Sequence, residues 1–116
     1  MNINPFLLTD GYKTGHPFMY PENTKLVYSN FTARSGKHAN FEINGVVAFG
    51  FQMTMIEINN IFKENFFSKN KEEVCSEVKL HYSKYLGSDF DISHIEALHT
   101  LGYLPVIVKA LPEGLA

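Results

Sequence analysis

The 116 residues include one cysteine, no tryptophan and no marked excess of either charge. Cys75 alone can form neither an intrachain disulfide nor a cysteine zinc cluster, which suits a reducing cytoplasm. Lys and Arg number 10 against 12 acids, for a formal net charge of −2. No basic field therefore draws the chain to nucleic acid or to an anionic membrane. No apolar run nears the ~20 residues of a membrane helix. The opening MNINPFLLTD has no basic region ahead of a hydrophobic stretch, so it reads as neither a signal nor a transit peptide. The expectation is a cytoplasmic, soluble protein.

Apolar residues are plentiful by contrast. They make up 45% of the chain, with 10 Phe and 6 Tyr, enough for the core of one domain over residues 1–116. There are no repeats and no low-complexity segments. TKLVYSNFTAR (24–34) alternates, with Leu26, Tyr28, Asn30 and Thr32 on one side and Val27, Ser29, Phe31 and Ala33 on the other. That pattern predicts a strand. A second short strand is predicted over 44–50 after an Asn-Gly turn signal, and a third over 106–110.

Between them the period changes. Phe51, Met55, Ile58, Phe62 and Phe66 recur at helical steps and are expected to face the core. Asn70 and Glu73 have capping-box spacing ahead of a second helix carrying Val74, Val78, Tyr82 and Tyr85, with Gly87 at its end. Ser93 and Glu96 repeat the spacing for a third helix, 94–101, closed by Gly102. The predicted fold class is α+β: a small sheet packed with three helices. The last strand leads into a Pro-Glu-Gly turn and two more residues, as though a further strand should follow. The expectation is the front part of a longer polypeptide.

Two places stand out as candidates for chemistry. One is the opening TDGYKTGHPFMYP (9–21), which crowds Asp10, Tyr12, Lys13 and His16 onto a turn-like segment near a terminus. The Asp10 carboxylate is expected to cap the turn 11–16, leaving Tyr12 and Lys13 to project. The alternative is a helical turn that only packs on the domain. The other place is Arg34, at the end of the first predicted strand and followed by Ser-Gly-Lys-His. A guanidinium fork there matches phosphate oxygens, and a plain surface arginine is the alternative. SGK is not a P-loop, because the glycine scaffold ahead of it is missing. His94 and His99, five apart, are off the spacing of a helical metal pair. No metal ligands and no catalytic group are assigned.

Read together, TDGYKTGH, then the Tyr-Pro turn, then KLVYSNFTAR, resemble the start of the nicotinamide phosphoribosyltransferase family. FGFQ (49–52) is similar to that family's entry to its first long helix. YLPVIVKALPEG (103–114) is similar to its L-P-I-x-I-K-A-V-P-E-G segment. The resemblance covers nearly the whole chain in order; the opening piece is shared with nicotinate phosphoribosyltransferases.

The resemblance implies the N-terminal α+β domain of a larger, homodimeric enzyme whose α/β barrel is not in these residues. Such an enzyme joins nicotinamide and phosphoribosyl pyrophosphate to give nicotinamide mononucleotide and pyrophosphate, in NAD salvage. Mg2+ is implied for the full-length enzyme and no cofactor for this segment. The family's ring-stacking tyrosine falls on Tyr12, its neighbouring aspartate on Asp10, and its phosphate-contacting arginine on Arg34, with the tyrosine acting in the partner subunit's site. Gly11 departs from a serine common at that place, the loop after Arg34 is less charged than in animal members, and residues 68–91 find no match. Alternatives are a nicotinate phosphoribosyltransferase segment and a free-standing, non-catalytic α+β interaction module.

Overall fold

The computed structural model describes residues 2–116. Two 3-10 helices, Pro5–Leu8 and Gly11–Met19, open the chain. Three α-helices follow: α1 (Phe51–Phe62), α2 (Lys71–Leu86) and α3 (Ser93–Leu101). A π-helical turn, Lys63–Phe67, continues α1. The helices form where their period and caps require. The Asn70 side chain accepts from the Glu73 N–H at 3.1 Å, and the Gly87 N–H closes α2 onto the Ser83 carbonyl at 2.9 Å. At α3 the expected Ser93 cap is displaced. Ile92 holds the cap position, and the Asp91 carboxylate accepts from the Ser93 N–H at 2.9 Å. That bond holds the Asp91 carboxyl below the ordinary carboxylate range.

The predicted sheet is absent. No strand forms among the described residues, so the fold is helical rather than α+β. The segments 24–34, 44–50 and 106–110 carry strand-like side chains, but their backbones find no ladder partner. A strand is stable only when its N–H and C=O groups and one apolar face are covered. Here Leu26, Tyr28 and Ile107 stand exposed, and Phe31 is 92% exposed.

The core is small and aromatic. Phe66, Val74, Cys75, Val78, Tyr82, Phe90 and Ile95 form it, with Phe6, Leu7, Phe62, Phe67, Ile92 and Leu98 packed against it. The expected α1 stripe is only partly inside. Phe66 is fully buried, whereas Phe51, Met55 and Ile58 line an open groove of about 550 Å3 facing Val106 and Val108. Accessible surface totals 9692 Å2, against about 6,400 Å2 for a folded monomer of this mass. The radius of gyration is 17.2 Å, against about 13 Å for a compact domain of this length. Much apolar surface lies uncovered.

One long-range clasp joins the two ends of the helical block. Gly50, at φ 85°, precedes α1 and has no side chain to cap it. Glu113 supplies the missing acceptor: its carboxylate takes the Gly50 N–H at 2.6 Å and the Gln52 N–H at 3.1 Å. Beside it the Ala48 N–H donates to the Leu115 carbonyl at 2.8 Å, and the Gly114 N–H to the Ala48 carbonyl at 2.7 Å. The amides of Gln52 and Gly50 hold the Glu113 carboxyl below its ordinary value. A depressed carboxylate stabilises the fold above its unfolded-state pKa, and that contribution is lost as pH falls through the folded value. In a carboxyl-carbon NMR titration Glu113 should titrate below the protein's free surface glutamates. Glu113→Gln should loosen the first turn of α1 at neutral pH, read as faster amide exchange at Gln52. A Glu113 that titrates with the others would rule the clasp out.

Candidate functional site

The opening segment is held along α2 at successive turns. The Asn4 amide donates to the Val74 carbonyl and to Glu77 Oε2, both at 3.1 Å, and its Oδ1 accepts from the Phe6 N–H. Two helical turns on from Val74, the Tyr82 hydroxyl donates to the Phe6 carbonyl at 2.6 Å. Burial pushes the Tyr82 hydroxyl up in pKa, so it stays a donor. Further along, Phe18 meets Phe90 and His94 edge-on, each at 5.7 Å between ring centroids. His94 is half-buried there, and desolvation lowers its pKa. A segment so anchored does not fray.

Between those anchors runs the 3-10 helix Gly11–Met19, nine residues long with Pro17 inside it. Runs of this length are uncommon, because 3-10 hydrogen-bond geometry is poor. Asp10 occupies the cap position, and its backbone carbonyl accepts from the Lys13 N–H at 2.9 Å. Its carboxylate does not cap the turn as expected; it pairs with the Lys13 ammonium at 3.4 Å. The ion pair outcompetes the cap because Lys13 lies one 3-10 turn away on the same face. Asp10 raises the Lys13 pKa, so the ammonium stays charged at neutral pH.

Tyr12 projects from this turn, 68% exposed. The Lys13 ammonium lies 5.6 Å from its ring centroid, and His16 meets it edge-on at 5.9 Å. An aromatic face beside a carboxylate–ammonium pair suits a flat, polar heterocycle: the ring stacks, and the ion pair offers one acceptor and one donor. Asp10 and Tyr12 are thus brought together. Arg34 is exposed, and among the described residues no hydrogen bond or ion pair joins it to either of them.

Two contributors were not singled out from the sequence. Thr14 is buried, and its hydroxyl donates to the Gly11 carbonyl at 2.8 Å. Tyr85, expected on the apolar face of α2, instead lies exposed against Gly11. The available signal was the glycine itself, since a glycine inside a helical turn often marks a close approach.

The segment containing this site has known relatives. Residues 4–108 match the model of the nicotinamide phosphoribosyltransferase N-terminal domain. The chain is 43% identical over 118 residues to a nicotinamide phosphoribosyltransferase of Acinetobacter baylyi, covering 97% of this chain and 23% of that relative. It therefore spans about a quarter of the length of the curated relative it matches. No solved structure matches it. No helix among the described residues is long and apolar enough to cross a membrane. With the family match running from Asn4 through the Tyr12 turn and all three helices to Val108, the chain belongs to the nicotinamide phosphoribosyltransferase N-terminal domain family.

Proposed function

We propose that this chain is the N-terminal portion of a cytoplasmic, homodimeric nicotinamide phosphoribosyltransferase and supplies substrate-binding residues to its active site. The reaction joins nicotinamide to phosphoribosyl pyrophosphate, giving nicotinamide mononucleotide and pyrophosphate. The family match across residues 4–108 carries this reading. The large uncovered apolar surface supports it, because a segment built to pack inside a larger enzyme leaves such surface bare when taken alone.

In this reading Tyr12 stacks on the pyridine ring. Asp10 accepts from the carboxamide N–H, which nicotinate lacks. Arg34 holds phosphate oxygens. Carboxylates that organise magnesium, and the groups that assist glycosyl transfer, come from the rest of the enzyme.

Steady-state kinetics on the full-length protein test this. Nicotinamide should be converted and nicotinate should compete weakly; preference for the acid would move the chain to the nicotinate enzymes. Arg34→Lys keeps the charge but loses the planar two-bond fork. It should raise the KM for phosphoribosyl pyrophosphate roughly tenfold, the scale of one charge-assisted hydrogen bond. Unchanged kinetics would leave Arg34 a surface arginine.

A further inference from the structure

We propose that Tyr85 is a positioning residue for Tyr12, acting through the Cα of Gly11. The inference rests on the nicotinamide reading of Tyr12 given above. A Cβ placed on Gly11 would lie 2.5 Å from Tyr85 Cζ, 2.7 Å from its hydroxyl oxygen and 2.8 Å from Cε2. No real Cβ contact is that short, so any other residue at position 11 would have to displace the ring of Tyr85. The same residue takes part in the hydrogen bonding of its own turn. The Gly11 carbonyl accepts from the hydroxyl of buried Thr14 at 2.8 Å.

Gly11 thus packs against the Tyr85 ring, and Tyr12 is the next residue. Rotation of the Gly11 peptide would swing the Tyr12 ring as a lever, moving an exposed aromatic face by far more than the backbone moves. Tyr85 comes from the last turn of α2, in line with Val74, Val78 and Tyr82 on the helix face that already holds the opening segment. Of these contacts, the one at Gly11 lies nearest to Tyr12 along the chain. Its own ring is 62% exposed, so little of the core depends on it. The residue's place is explained by what it touches.

Kinetics on the full-length enzyme test the proposal with four variants. Tyr85→Ala removes the stop, and Gly11→Ala drives a methyl into it. Each should raise the KM for nicotinamide about three- to tenfold, the scale of a small misplacement of a binding group, while the KM for phosphoribosyl pyrophosphate stays put. The double variant should be no worse than Tyr85→Ala alone, because the added methyl then meets nothing. Tyr85→Phe keeps the ring and should behave as wild type.

An unchanged nicotinamide KM in either single alanine variant would overturn the proposal. So would effects that simply multiply in the double variant, or a Tyr85→Phe enzyme as impaired as Tyr85→Ala. Tyr12→Ala measured alongside separates the two levels. If it leaves the nicotinamide KM unchanged, the reading of Tyr12 itself falls. If it raises that KM while Tyr85→Ala does not, only the role of Tyr85 falls.

Discussion

Tyr12→Ala in the full-length enzyme should weaken nicotinamide binding by roughly five- to more than a hundredfold, equivalent to about 1–3 kcal/mol from the lost stack and its buried area. Tyr12→Phe should be mild, because the ring face remains. Tyr12 stands exposed on its own segment, and a mixed dimer tests which subunit's site it serves. A Tyr12→Ala subunit is paired with one inactivated in its own barrel. If Tyr12 serves the partner's site, the intact barrel faces the intact tyrosine and that site turns over. The other site has both defects and is dead. Recovery of about half the wild-type activity is the expected result. No recovery, with mixed dimers shown to form, would mean that Tyr12 serves its own subunit or only the fold.

The second large effect is on stability. Phe66 is fully buried, and its ring centroid lies 5.0 Å from Phe6, 5.2 Å from Phe67 and 5.0 Å from His99. It joins the opening segment, the π-helical turn and α3 at one point. Phe66→Ala leaves a cavity among rings that cannot collapse into it, and should cost about 3–5 kcal/mol. Urea unfolding of the full-length protein reads this as an early loss of its N-terminal region. A loss below about 1 kcal/mol, the range of ordinary surface changes, would show that the core lies elsewhere.

The helices were legible because their causes are local. Asn70, Gly87 and Gly102 mark ends that any neighbourhood would respect, and the steps from Val74 to Tyr82 need only one apolar side. The sheet was not, because alternation at Leu26, Tyr28 and Phe31 states which faces are apolar without supplying a backbone partner. Of the candidate site, the juxtaposition of Asp10, Tyr12 and Lys13 followed from their closeness in the chain. The loss of the Asp10 cap to Lys13 did not, because two acceptable partners competed for one carboxylate. Tyr85 was hidden for a simpler reason. It lies 74 positions from Gly11, and sequence spacing is silent about contacts at that distance.

The clasp between Glu113 and the start of α1 means that the helical block leaves and rejoins the chain at nearly one point. Such a block is topologically an insertion. Closing a loop costs only slightly more entropy as it lengthens, about 0.6 kcal/mol for each doubling. The length of chain that the clasp encloses therefore weighs little on the cost of closing it. Gly50 and Glu113 thus set where the chain enters and leaves the block, whatever happens inside it.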